Sequence, residues 1–162
     1  MPITADILAS HAAYSHWATR RVLTFAQTLP EEEIARHIGN SHGSILKTFQ
    51  HTYYADRAWL ARLEHAGVGF EDPPPGPSLA DLDRDWLPLL ERFADVAGKC
   101  DANGVLAYKN LKGHAFERPI WQVVMHIVNH GTYHRGQIAS MMRQLGHQPP
   151  PTDLIYYYLD QK

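Results

Sequence analysis

Two proline clusters limit what this chain can fold into. Pro73-Pro74-Pro75-Gly76-Pro77 and Pro149-Pro150-Pro151 cannot continue a helix or lie in a central strand, because proline lacks the backbone N–H and its ring clashes with the preceding turn. The chain around them must be built from separate elements, and its apolar residues recur at helical spacing. A first helix is expected over residues 4–29, carried by Ile7, Leu8, His11, Tyr14, Ala18, Val22 and Phe25. A second follows Asn40-Ser41, a pair suited to cap it, and runs through Ile45, Phe49, Tyr53, Leu60 and Leu63 to stop near Gly67. Residues 71–77 form a loop. Ser78 then caps a third helix through Leu82, Trp86, Leu90, Phe93 and Val96, ending before Asn103-Gly104.

Residues 105–118 lack that period. Short alternating flanks (Leu106 and Tyr108; Ala115-Phe116) around a turn at 110–113 allow a small hairpin. Pro119 suits the first turn of a fourth helix, which runs to Leu145-Gly146, and Thr152 is a candidate cap for a short last helix over 153–159. Four long helices joined by polar or proline-rich links bury their apolar stripes on one another. The expected fold is therefore all-α, a four-helix bundle with a possible small hairpin before the fourth helix. At 162 residues the chain is expected to form a single domain, 1–162.

The bulk composition excludes several functions. A net charge of -2 provides no electrostatic footprint for nucleic acid, and no apolar run reaches the roughly 18 residues that a membrane span needs. The opening Met-Pro-Ile-Thr-Ala-Asp lacks the pattern of a signal peptide. Cys100, the lone cysteine, cannot form an internal disulfide. The expectation is a cytoplasmic protein that binds neither nucleic acid nor membrane.

The chemistry-bearing segment is His126-Ile-Val-Asn-His130-Gly-Thr-Tyr-His134. Residues four apart on a helix are neighbours, with Cβ atoms about 5–6 Å apart, so two such imidazoles can grip one metal ion. With His126 placed at 0°, Val123, Ile127, Ile120, Ile138, Met141 and Leu145 fall at about 60–120°, and His130 and His134 at about 40° and 80°. His130 and His134 thus lie within the buried face, with His126 at its edge. Buried imidazoles need hydrogen-bond partners or a metal, since an unsatisfied polar group costs about 1–3 kcal/mol. The other close pairs, His11/His16 and His37/His42, are spaced by five and do not share a helical face.

Spacing does not name a third ligand. His51 is a candidate on the second helix, on a face with Ser44, Thr48, Ala55 and Ala58, although the same pattern suits an exposed histidine. Gln137 and Asp56 are candidates to orient a ligand from behind; Gln137 reads more simply as a helix-surface amide, and Arg135, at about 180° on the same scale, as a helix contact or ion-pair partner. No His-Glu-x-x-His, Glu-x-x-His, phosphate loop or nucleophile elbow occurs, and Cys100 at a helix end reads as incidental.

Three segments resemble the DinB-like (DinB/YfiT-like) metalloenzyme family: Tyr14-Ser-His-Trp17-Ala-Thr-Arg-Arg-Val-Leu23; Gly43-Ser44-Ile45 through His51 to Ala55-Asp56-Arg57-Ala58-Trp59-Leu60; and, most specifically, His126 through His130-Gly-Thr-Tyr-His134-Arg135-Gly136-Gln137-Ile138. The tail Thr152-Asp153-Leu154-Ile155-Tyr156-Tyr157 is similar too. The resemblance implies an up-down-down-up bundle, a homodimer, and one divalent metal held by His51, His130 and His134, with His126 behind or beside them. It departs from the family at Tyr133, where another histidine is common, and at Thr19, where asparagine is usual.

A three-histidine ion leaves positions for water or substrate, and on Zn²⁺ such a water has a pKa near about 7. Imidazole ligands suit zinc or nickel among other ions. Hydrolysis is one use of such an ion; the resemblance implies another, a thiol-dependent S-transferase acting with a low-molecular-weight thiol on a small-molecule substrate. The alternative is a non-enzymatic stress-response protein in which the metal is structural. Structural zinc usually takes four protein ligands, which favours the enzyme.

Overall fold

Three of the long helices start at side chains that satisfy otherwise unpaired first-turn N–H groups. The computed structural model describes residues 3–39, 42–64, 76–110 and 112–161. In α1 (Ala5–Ala26) the Thr4 hydroxyl accepts from the Ile7 N–H. In α3 (Ile45–Leu63) Ser44 accepts from Lys47 N–H at 3.2 Å, so the cap is Ser44; Asn40 and Ser41 lie outside the described residues. In α4 (Leu79–Lys99) Ser78 and Asp81 cap each other reciprocally.

Other expected boundaries shift. A one-turn α2 (Glu31–Ala35) precedes α3, too short to leave a periodic signal. The hairpin forms as β1 (Val105–Lys109) and β2 (Ala115–Pro119), with Leu106 opposite Arg118 and Tyr108 opposite Phe116. Its turn closes on Asn110, whose Oδ1 accepts from the N–H groups of Lys112 and His114. Pro119 is not in the first turn of α5 (Ile120–Gln144): with ψ at 137° it is the extended N-cap residue that ends β2. Nor does Thr152 cap α6 (Leu154–Asp160). Asp153 holds that place without a side-chain bond, while the Thr152 carbonyl accepts from the Tyr14 hydroxyl at 2.8 Å.

Contacts along the helices set their directions. Ala9 near the start of α1 meets Gly98 near the end of α4, so these two run antiparallel. Ser15 and Thr19 meet Arg135, and Val22 shares a cluster with Ile138, so α1 and α5 run parallel. Asp56 meets Trp86, and Glu64 meets Arg92, so α3 and α4 run parallel, while Trp59 against His126 and His51 against His134 set α3 antiparallel to α5. The four long helices are therefore up-down-down-up, as the resemblance implies. No described helix is long and apolar enough to cross a membrane.

The core is split across the bundle. One apolar cluster contains Leu8, Leu60, Phe93, Leu106, Val124 and Ile127, and the other Val22, Ile45, Phe49, Trp86, Leu90 and Ile138. At the level between them the buried residues are polar: Ser15 and Thr19 on α1, Thr52 and Asp56 on α3, His134 and Arg135 on α5. The hydroxyls of Thr48 and Thr52 are satisfied within α3, by the carbonyls of Ser44 and Thr48. Close packing there depends on Gly131, where a Cβ would come within 2.8 Å of the Arg135 guanidinium and 3.2 Å of the Ser15 hydroxyl.

Candidate metal centre

The helical spacing of His130 and His134 brings their rings to a centroid distance of 4.4 Å on α5, with their Nε2 atoms 3.0 Å apart. From α3, His51 packs against both, at 4.7 Å from His134 and 5.3 Å from His130. The antiparallel pairing of α3 and α5 thus supplies what spacing along one helix could not, a third imidazole facing the pair. His126, one turn before His130, lies 5.9 Å from it and 5.2 Å from Trp59. It therefore stands at the edge of the cluster, exposed.

A fourth imidazole arrives from outside the helices. His42 stacks on His51 at 4.0 Å with 21° between the planes, and lies 5.1 Å from His134. His42, His51 and His134 each offer a ligand nitrogen within 4.8 Å of the others. Sequence reasoning missed His42, since a residue before the helix start shares no helical period with His51. Its placement comes from the backbone: Gly43 adopts φ +84, and its carbonyl accepts from the Ile38 N–H at 2.7 Å. A side chain at 43 would sit in the left-handed region and come within 2.9 Å of the His37 ring.

The donor set suits a divalent ion. Burial and the neighbouring rings push His51 and His130 down to about 4, and burial lowers His42 and His134 as well. At neutral pH these imidazoles are therefore uncharged, the form that binds metal. His134 Nδ1 is 2.8 Å from Gln137 Oε1. The amide oxygen can only accept, so Nδ1 carries the proton and Nε2 keeps its lone pair. Gln137 is thus not the ordinary surface amide its position suggested. His130 Nδ1 is buried with no partner, as expected of a ring that the protein's own groups do not satisfy. Two Nε2 atoms at 3.0 Å lie close to the roughly 3.4 Å at which tetrahedral ligands of zinc sit from one another.

Asp56 does not reach an imidazole. Its Oδ2 accepts from Trp86 Nε1 at 2.9 Å and its Oδ1 has no hydrogen-bond partner, in a fully enclosed position that pushes its pKa up to about 7 despite the Trp86 bond and the Arg135 charge. Arg135 is likewise buried. It donates to Ser15, Thr19 and Thr132 at 3.2, 3.2 and 2.9 Å, so Thr19 serves as an acceptor for Arg135. Tyr133 is 62% exposed and sets its ring edge against His134. The Cys100 thiol donates to the Ala97 carbonyl, and burial raises its pKa, the reverse of what a nucleophile needs.

Beside the cluster a cleft of about 270 Å³ opens, lined by Trp59, Tyr108, Arg118, Gln122, Val123 and His126. Residues opposite each other in the hairpin share a face, so Arg118 sits on the same side of the sheet as Leu106, which is buried in the core.

The model of the DinB family matches residues 1–161 of this chain. Protein DinB of Bacillus subtilis (strain 168) is 26% identical over 153 residues, covering 89% of each chain.

Proposed function

The chain belongs to the DinB family, and from that premise we propose that it is a metal-dependent enzyme that transfers a low-molecular-weight thiol to a small electrophile, with His51, His130 and His134 holding one divalent ion, zinc or nickel. The observation that carries this reading is that ligand nitrogens of His42, His51 and His134 lie within 4.8 Å of one another, with no carboxylate in that group, and that His130 Nε2 adjoins it at 3.0 Å from His134 Nε2. When bound, the ion supplies a Lewis acid that favours the deprotonated form of a thiol. Hydrolysis is better served by a nearby acid–base group, and the nearest buried carboxyl, Asp56, is turned to Trp86.

The protein's own residues do the rest. Gln137 holds His134 in the tautomer that presents Nε2, and fixing a ligand ring in this way raises its basicity. The cleft lined by Trp59, Tyr108, Arg118 and Gln122 seats the electrophile, its aromatic faces taking an apolar body and its polar groups orienting it. His126 stands between the cleft and His130, where it borders both reactants.

The presence of His42 supports a second reading, in which four imidazoles close around the ion and make it a structural staple of a non-enzymatic protein. The same family reading expects a homodimer, for which α6 exposes Ile155, Tyr156, Tyr158 and Leu159. The deciding experiment loads the protein with zinc or nickel and follows consumption of a small thiol against a panel of haloalkane and epoxide electrophiles. Metal-dependent turnover, abolished in His134→Ala, is expected. A loaded protein inert across the panel, whose fold collapses on chelation, would establish the staple.

A further inference from the structure

The cleft beside the imidazole cluster has a charge bias. Arg118 is a cation, and no acidic residue lines the cleft with it. Alternation along the hairpin explains why that charge stays uncompensated. Arg118 and Phe116 lie on the face that carries Leu106 and Tyr108, whereas Glu117 and Lys109 belong to the other face. Arg118 meets Glu117 only through its backbone carbonyl, which accepts from Arg118 Nη1 at 2.7 Å. Among the described residues no carboxylate pairs with Arg118.

The walls limit what such a charge can hold. The Trp59 ring meets Tyr108 and His126 at steep angles, with centroids 5.1 and 5.2 Å away. Arg62 packs on the Trp59 and Tyr108 rings at 4.6 and 5.7 Å without lining the cleft itself, and so braces both walls. At about 270 Å³ the cleft falls just below the roughly 300–1,000 Å³ of sites for drug-sized ligands, so it takes a single ring or a chain of similar bulk. Along α5, Gln122, His126 and His130 stand at successive turns, about 6 Å apart. A molecule held at Arg118 and Gln122 thus extends past His126 toward the imidazole cluster. The larger groove between α1, α5 and α6, about 500 Å³, is lined by Asp153 and by no arginine or lysine, and does not compete for an anion.

Deepening the functional reading above and resting on it, we propose that the electrophile is a small aromatic or unsaturated carboxylate, and that Arg118 is the residue that selects it. The Nε and Nη2 edge of the guanidinium, which Glu117 does not engage, presents two parallel N–H groups to the carboxylate. The Gln122 amide donates a further hydrogen bond. Trp59 and Tyr108 cover the flat body, and its electrophilic carbon faces the imidazole cluster. In the transfer the thiolate sulfur forms a bond to that carbon, a leaving group such as chloride departs with its electron pair, and the thiol proton passes to solvent.

The test uses the full chain equilibrated with Zn²⁺. It is titrated with 4-methylbenzoate, an unreactive probe, and with its neutral counterpart 4-methylbenzamide, and the shift of the Trp59 indole N–H is followed by NMR. The benzoate is expected to bind at least about tenfold more tightly, the worth of one charge-assisted contact. Arg118→Gln should remove that preference and Arg118→Lys should keep part of it. Lys109→Gln, on the other face of the hairpin, should leave it intact, which separates recognition by Arg118 from general positive charge. Arg118 and Lys109 are both exposed, so these variants keep the fold. Equal affinity for the two probes in wild type would overturn the proposal. So would a preference that survives Arg118→Gln, which places the carboxylate on the ion, or one lost equally in Lys109→Gln. Each of these leaves the metal reading standing. With a small thiol added, 4-(chloromethyl)benzoate should be consumed with a higher kcat/KM than 4-(chloromethyl)benzamide. Arg118-dependent binding with no turnover of either would uphold the carboxylate site and defeat thiol transfer.

Discussion

Two polar sites interrupt the apolar core at the same level of the bundle, and they are completed differently. On one side, Arg135 spends its donors on Ser15, Thr19 and Thr132, and Asp56 accepts from Trp86. Arg135 Nε and Asp56 Oδ1 stay without partners there, but the site joins unlike groups, a cation, an acid and hydroxyls, that hydrogen-bond within the chain. On the other side, His42, His51, His130 and His134 face one another. All are neutral, and His130 Nδ1 has no partner. Neutral rings carry no charge to pair off, and several ring nitrogens brought to one place offer the lone pairs that an ion can accept. Hydrogen-bonded polar groups of unlike kind are what a fold uses to specify packing, whereas neutral ring nitrogens gathered from separate segments are what a metal site looks like.

The largest effects should come from the imidazoles. Apparent zinc affinities of about 10–16 kcal/mol over four ligands imply about 2.5–4 kcal/mol for each. His51→Ala, His130→Ala and His134→Ala should each lose metal, read as content by mass spectrometry, while the apo-fold is retained. Full metal content in any one of them would remove that residue from the ligand set.

Arg135→Ala should do the opposite. It strips donors from three hydroxyls and leaves Asp56 buried without a compensating charge, a loss of about 2–4 kcal/mol in chemical denaturation, with near one equivalent of metal still bound. If it lost metal without losing stability, the two sites would not be separable. Gln137→Ala sits on the border between them. Freed from Oε1, the His134 ring is no longer held in its tautomer, and affinity should fall about tenfold to a hundredfold at unchanged melting temperature.

The two sites also respond to acid with opposite signs in the chelated protein. His51 and His130 are depressed from 6.5 to about 4. Their stabilising contribution is present above pH 6.5 and is lost as pH falls toward 4, because the unfolded chain takes up protons first. Asp56 is raised from 3.8 to about 7. Its contribution is full below 3.8 and is lost as pH rises through 7. Asp56→Asn should therefore steepen the fall in melting temperature between pH 6.5 and 4, and His51→Gln should flatten it. Parallel curves for all three proteins would refute the opposition. The smallest effect is expected at Tyr133, which is 62% exposed: Tyr133→Ala should shift stability by less than about 0.5 kcal/mol.

Much of this was legible in the chain. Helical periodicity marked the four long helices because each buries a continuous stripe, and the alternating flanks around residues 110–113 marked the hairpin. His130 and His134 were legible because a four-residue spacing is a local geometric fact. Helix starts were less so: Ser44 caps α3 where Asn40-Ser41 were candidates, and Asp153 rather than Thr152 precedes α6, without a side-chain bond, since several adjacent residues can hold such a place and tertiary contacts choose among them. Thr152, for example, lends its carbonyl to Tyr14. Local spacing thus determined the helices and one pair of candidate ligands. Only the packing of α3 antiparallel to α5 brought His51 to that pair, and only the turn at Gly43 delivered His42. Likewise, whether Gln137, Asp56 and Arg135 meet water, an imidazole or a hydroxyl was decided by which helix lies opposite, a relation between residues up to 120 positions apart that no local period encodes.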